Sequence, residues 1–245
     1  MRRLLLTVLV AACSLAITAP TARAQQFPDH GPNPNPAVFA PDSRPYGKSI
    51  ATWAERASQW VYGTPYEQSP LFDPTGANCD VNQRGPVWYV ARIAGPPVFS
   101  GERDCTIPHQ KSILLYIGAV VAAYPCAADP GYGPAPGQPL YDFLAADAKF
   151  WMDTVDHLEV SLDGQPLNRV LDDYRFVSDD LFSITGDLSL QDKLDGCITG
   201  SPQDAVVDGF FMIFKPLPPG QHTIVVHGTN TLGHDKTFTY HLTIE

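Results

Sequence analysis

Charge is scarce in this chain, and positive charge is scarcest. Charged residues make up only 17% of 245 residues, and 16 Lys and Arg face 26 Asp and Glu, a formal net charge of −10. Nucleic acid is not an expected partner, because phosphates need a Lys/Arg surface. Signatures of catalysis are missing as well. There is no G-x-S-x-G nucleophile elbow, no H-E-x-x-H, no P-loop and no dinucleotide fingerprint. No C-x-x-C pair occurs, which removes the usual zinc and dithiol motifs. An enzyme is not thereby excluded, since triads and carboxylate pairs assemble from distant parts of a chain. What the chain does have is 44% hydrophobic residues, enough for a core, with 24 Pro and 19 Gly that favour short elements joined by turns.

Residues 1–24 read as an export signal. Arg2 and Arg3 are followed by apolar Leu4 to Ala19, then by small residues at Ala22-Arg23-Ala24, with the cut expected after Ala24. The apolar stretch is short for a bilayer crossing, so no membrane span is expected after cleavage. A lipoprotein signal competes, because Val10-Ala11-Ala12 precedes Cys13. The residues after Cys13 stay apolar, however, where a lipid tether is usually polar. Removal of the signal takes three arginines and no acid, leaving 13 basic against 26 acidic groups, net −13. Residues 25–45 carry Pro28, Pro32, Pro34, Pro36, Pro41 and Pro45, and read as an extended linker that does not pack. Residues 46–245 suit a single domain with a sizeable core.

Four cysteines remain after cleavage: Cys79, Cys105, Cys126 and Cys197. An even number in an exported chain implies two disulfides, and three pairings are open. Cys79–Cys105 with Cys126–Cys197 is preferred, because the first pair brackets one expected hairpin.

Periodicity places a helix over Ser49 to Tyr62. Ser49 can cap it, and Ile50, Trp53, Ala57, Trp60 and Val61 form one apolar stripe. The two tryptophans are expected to anchor this helix rather than to form an exposed platform. Val87 to Ile93 reads as a strand, Ala94 to Glu102 as a turn-rich connection, and Cys105 to Pro108 as a short strand. Ser112 to Ala123 is a continuous apolar run that suits a buried strand pair, with a buried helix still open. Leu140 to Val155 looks helical, with Leu140, Phe143, Leu144, Phe150 and Trp151 as inward candidates.

From Leu158 the period becomes two. Asp163-Gly164 marks a tight turn, and strands follow near Tyr174 to Val177, Leu181 to Ile184 and Val206 to Phe214. His222 to His227 and Thr237 to Ile244 make a closing hairpin. The expected fold is mainly β: an antiparallel sandwich of immunoglobulin-like or jelly-roll-like type, braced by disulfides, with one or two packed helices.

Five stretches carry a resemblance: GKSIATWAERASQWVYGTP, GANCDVNQRGPVWYVA, RDCTIP, LEVSLDGQPLNRVLDDYRF and DGFFMIFKPLPPGQHTIVVHGT. Together they resemble a family of exported bacterial proteins to which no activity is attached. The resemblance implies secretion, one mostly-β body and the cysteine positions. It carries over no ligand or catalytic residue.

Candidate chemistry is sparse. His222, His227 and His241 fall in the closing hairpin. Burying Ile224 and Val226 with Phe238, Tyr240 and Leu242 pairs 226 with 238 and 224 with 240. His227 then faces Thr237, His241 faces Thr223, and the two histidines stand about 13–14 Å apart along the strands. No metal site is expected there. Asp172, Asp173, Asp179, Asp180, Asp187, Asp192 and Asp195 form the most acidic region, against Arg175 and Lys193. Calcium is a candidate for such loops, although no EF-hand spacing is present and solvated acidic turns explain them as well. Asp172/Asp173 with Asp179/Asp180 is the first cluster to examine. Glu55 and Glu67 are candidates for half of an acid/base pair without a nominated partner. Cys105 and His109 lie close in sequence, but an oxidised Cys105 is expected.

The expected function is a non-catalytic binding or cell-envelope interaction module, located outside the cell or in the periplasm, with a carbohydrate or an envelope protein as partner class. A secreted hydrolase acting on polysaccharide or ester substrates is the rival. A calcium-stabilised envelope protein is the third reading.

Overall fold

The computed structural model describes residues 33–245. The expected export signal, Cys13, His30 and the first part of the linker lie outside these residues. Three α-helices and ten strands follow in the order α1 Ile50–Gly63, β1 Val87–Ala91, β2 Val98–Ile107, β3 Ser112–Tyr124, α2 Leu140–Met152, β4 Val155–Leu162, β5 Gln165–Pro166, α3 Val170–Asp173, β6 Arg175–Val177, β7 Phe182–Ile184, β8 Gln203–Phe214, β9 Gly220–Asn230 and β10 Asp235–Ile244. They form two five-stranded sheets. The first runs β1-β3-β8-β6, with β7 also on β8, and the second runs β2-β10-β9-β4-β5. Both sheets are mixed, because β1 pairs parallel to β3 and β2 parallel to β10. The all-antiparallel arrangement expected from the sequence is corrected to that extent.

The first sheet is covered on both faces, which explains its sequence. On β3, Ile113, Leu115 and Ile117 enter one buried cluster and Leu114, Tyr116, Val121 and Ala123 another. On β8, Phe210, Met212 and Phe214 join the first cluster, while Val207, Phe211 and Ile213 join the second. A strand buried on both sides reads as a continuous apolar run. The first cluster also takes Val160, Ile224, Val226, Phe238, Tyr240 and Leu242 from the second sheet. Helix α1 supplies Ile50, Trp53, Ala57, Trp60 and Val61 to the other face. Its Ser49 hydroxyl accepts from the Thr52 amide as an N-cap. Both tryptophans are buried anchors: Trp53 Nε1 donates to Pro45 O and Trp60 Nε1 to Val81 O, each at 2.9 Å.

Three expectations change. The described part of the linker, residues 33–45, does pack. Val38 is fully buried and bridges Phe214, and the backbone bonds Phe39 N to Ile213 O and Lys215 N to Ala37 O are both 2.9 Å. Of the connection expected at Ala94 to Glu102, Ala94 to Pro97 is irregular, but Val98 to Glu102 is instead the first half of β2, which pairs with β10 from Val98–Asp235 to Ile107–Ile244. In α2 the expected Leu144 is buried and Leu140 and Phe143 pack partly buried beside it, Ala148 and Met152 complete the inward stripe, and Phe150 and Trp151 are instead 66% and 48% exposed.

The two disulfides are Cys79–Cys105 and Cys126–Cys197, the preferred pairing. They favour an oxidising compartment, outside the cell or periplasmic. Among the described residues no helix is long and apolar enough to cross a membrane.

The turn at Asp163-Gly164 carries a pH-sensitive tether. Both residues have positive φ, 52° and 75°, as a two-residue type I′ hairpin requires. Asp163 Oδ1 accepts from the Thr223 amide at 2.8 Å, and Oδ2 lies 2.8 Å from His222 Nδ1. His222 Nε2 is 2.9 Å from Pro218 O. Two acceptors on one ring require the imidazolium. Burial alone would lower the His222 pKa, but the bonds to Asp163 and Pro218 outweigh it and hold it above 6.5. Burial would likewise raise Asp163, yet His222 and the Thr223 amide hold it below 3.8. The histidine's contribution is therefore complete below about pH 6.5 and is lost as pH rises through its raised folded value. The carboxylate's contribution is lost as pH falls through its lowered one. An NMR titration should place the His222 midpoint above 6.5, and Asp163→Asn should move it down. An unmoved midpoint would show that the tether is not electrostatic.

Candidate functional site

The site begins at an irregularity in β3. Its register with β8 slips between Tyr116 and Gly118, a bulge that bends the strand. Gly209 pairs with Ala119 just beyond it, and a Cβ at Gly209 would stand 2.2 Å from the Ala119 Cβ. Only glycine lets the two strands close at this point. Gly118, Ala119 and Val120 remain half-buried. A cavity of about 340 Å³ opens between them, the end of α2 and the β9–β10 turn.

The wall is mostly apolar, with Ile117, Val120, Met152, Leu158, Phe210, Val226 and Phe238, and Trp151 at the rim. Its polar groups are few: Arg92, Asn230, His234, Lys236 and the threonines Thr154 and Thr229. Asn230 builds the turn that carries several of them. Its Oδ1 accepts from the amides of Leu232 and His234 at 3.0 and 2.9 Å. Lys236 Nζ donates to Gly95 O at 3.0 Å. Burial, then the nearby Arg92 charge, lowers the Lys236 pKa. Arg92 enters no ion pair among the described residues. No carboxylate, serine or cysteine lines the cavity, so its charged groups are all cations, in a chain of net charge −10.

A neighbouring cavity of about 290 Å³ shares Arg92, Ala119, Val120 and Trp151, and adds Asp147 and Asp195. Tyr132 donates to Asp147 at 2.6 Å and Tyr62 to Asp195 at 3.3 Å. Burial, reinforced by these carboxylates, raises both phenol pKa values. Both phenols therefore stay protonated donors. A third depression of about 620 Å³ over the Cys79–Cys105 bridge is larger but more open, and its charged lining is acidic: Asp80, Asp104 and Glu245.

The acidic stretch does not converge. Asp173 pairs with Arg169 at 2.9 Å, Asp187 caps Ser189, and Asp195 accepts from Tyr62 and the Cys197 amide. Glu55 is half-buried, and burial with Asp179 and Asp180 nearby raises its pKa. Glu67 is exposed. Cys105 is in its disulfide and His109 is exposed. The closing hairpin has the expected register, with Val226 opposite Phe238, Ile224 opposite Tyr240, and His227 opposite Thr237. What hairpin reasoning missed is the strand on the other side. β4 pairs with β9 so that Glu159 faces His227 and His157 faces Thr229. This gathers His157, Glu159 and His227 with ligand atoms within 4.8 Å of one another. The alternation of β4, already visible in Leu158 to Leu162, was the signal that could have found it.

Comparison with known proteins adds no identity. No family model matches the chain, and no curated protein does. A solved structure of PbICP-C in complex with falcipain-2 is similar at 10% identity, covering 66% of this chain and 100% of that one, with a TM-score of 0.24. The solution structure of amebosin is similar at 15% identity, covering 62% of this chain and 100% of that one, with a TM-score of 0.17. At such scores neither carries an argument about fold or function.

Proposed function

We propose that this chain is an exported, non-catalytic binding module. Its ligand occupies the cavity beside the β3 bulge and carries an anionic head on an apolar body. The observation behind this reading is the pairing of a mostly apolar wall with Arg92 and Lys236 as its charged groups. A volume of about 340 Å³ falls in the range of small-molecule sites. A neutral sugar would find few hydrogen-bonding partners on such a wall. Export rests on the signal-like residues 1–24 and on the two disulfides. We read the two sheets as a sandwich, because the largest buried cluster draws on both.

Decanoate and decanol distinguish head from body. In calorimetry, decanoate should bind and decanol should bind about tenfold more weakly, the worth of one charge-assisted hydrogen bond. Arg92→Ala and Lys236→Met should each weaken decanoate by a similar factor and leave decanol unchanged. Equal affinities, or no binding of either, would overturn the anionic reading. The hydrolase rival has its own test. Turnover on a glycan and ester panel that disappears in Asp147→Asn or Asp195→Asn would replace a binding module with an enzyme.

A further inference from the structure

The geometry points to a zinc-class divalent cation site on the outer face of the second sheet, formed by His157, Glu159 and His227. These residues take no part in the cavity, so the two readings stand or fall separately. Leu158 and Val160 of β4, with Ile224 and Val226 of β9, belong to the buried cluster. Strand alternation therefore turns 157, 159 and 227 to the opposite face. The register sets Glu159 directly across from His227 and His157 on the diagonal. The two rings stand 5.2 Å apart by centroid, and His157 Nε2 lies 3.6 Å from Glu159 Oε1.

These separations are close to what an ion needs. With metal–ligand bonds of about 2.0–2.2 Å, two ligands of one tetrahedral ion stand roughly 3.4 Å apart. The trio is already within 4.8 Å, and its side chains are partly exposed and free to rotate toward one another. The framework is fixed: β9 is hydrogen-bonded to β4 on one side and β10 on the other. Asp235 Oδ1 lies 3.0 Å from His227 Nε2, the carboxylate–histidine arrangement that orients a ligating ring. The groups hydrogen-bonded around the trio are acidic or neutral, with Asp156 accepting from Thr229 beside His157. Two imidazoles and one carboxylate suit zinc and its neighbours. Calcium and magnesium take oxygen. Three protein ligands leave a fourth position to solvent.

The full-length protein, stripped of metal, is titrated with zinc chloride by calorimetry while the imidazole resonances are followed by NMR. Saturable uptake of one zinc ion should perturb His157 and His227, and calcium should not compete. His157→Ala and His227→Ala should each weaken zinc by at least about tenfold with melting temperatures near wild type. His241→Ala, an exposed histidine on β10 that faces Glu102, should bind zinc as the wild type does. Uptake that is absent, equal in His157→Ala, or matched by calcium would overturn the site, and so would ring resonances that do not move.

Discussion

Arg175→Met is expected to destabilise the protein by about 3 kcal/mol, the lower end of what breaking a buried ion pair costs. Asp208 lies on β8 with its side chain fully buried, and Arg175 on β6 is 26% exposed. The guanidinium meets it with both prongs, Nε to Oδ1 at 2.8 Å and Nη2 to Oδ2 at 2.6 Å. Those bonds, above all else around it, raise the Arg175 pKa. Nη1 reaches the half-exposed Asp153 at 2.8 Å, a contact of small worth. The cost of the variant thus comes from leaving a carboxylate in the core without a partner, and not from lost attraction. This separates two explanations. Arg175→Met combined with Asp208→Leu should recover most of the loss, because an apolar pair of similar volume avoids the desolvation penalty. Denaturant melts of the wild type, the single variant and the double variant decide it. A double variant no more stable than the single one would show that Arg175 acts by packing.

The same pair shows where sequence reading stops. VVDGFFMIF announces a buried strand, and an aspartate in its middle demands a partner. The partner is more than thirty residues away on a three-residue strand, so no local pattern names it. The closing hairpin was legible to the residue because one face is buried and the other is wet, and a one-residue slip would reverse every side chain. β2 was hidden for opposite reasons. Gly95-Pro96-Pro97 reads as turn, and the inward position 103 holds an arginine that is 3% exposed. That arginine is stabilised by donating to Ala91 O at 3.0 Å and to Asp73 O, partners that exist only after folding. In α2 aromatic bulk at Phe150 and Trp151 suggests an inward face, but four-residue spacing decides it: Leu144, Ala148 and Met152 are buried and Trp151 stands at the cavity rim.

The candidate site was illegible for a related reason. Arg92 follows β1 and Lys236 belongs to β10, and the second sheet brings β10 beside the chain that leaves β1. Neither residue carries a motif. The zinc-class trio likewise depends on β4 lying against β9, a pairing between strands separated in sequence by β5, α3 and the three strands β6, β7 and β8 of the other sheet. Spacing rules find ligands within one element, and cross-strand ligands become visible only with the register.

Replacing both Cys126 and Cys197 by alanine should cost about 4 kcal/mol, by chain entropy for a loop of that length. The two residues are 71 apart in sequence, and the loop they close contains α2, the whole of β4 to β7, and the connection into β8. Cys79 and Cys105, 26 apart, should contribute about 1 kcal/mol less by the same reasoning. Gln203 ties the ends of the longer loop a second time. Its Nε2 donates to Pro125 O at 2.6 Å and to Cys197 O at 2.9 Å, and its Oε1 accepts from the Thr199 amide at 3.1 Å. These bonds reach the residue just before Cys126 and Cys197 itself, so they duplicate the covalent link. While the bridge is intact the loop ends stay close without Gln203. Once it is gone, the glutamine bonds must hold the ends against the full closure entropy. Gln203→Ala should therefore cost more in the alanine pair than in the disulfide-bonded protein, a positive coupling in a double-variant cycle. Melting curves of the four proteins measure it. A Cys126→Ala/Cys197→Ala protein whose stability lies within about 1 kcal/mol of the parent would show that this bridge contributes little.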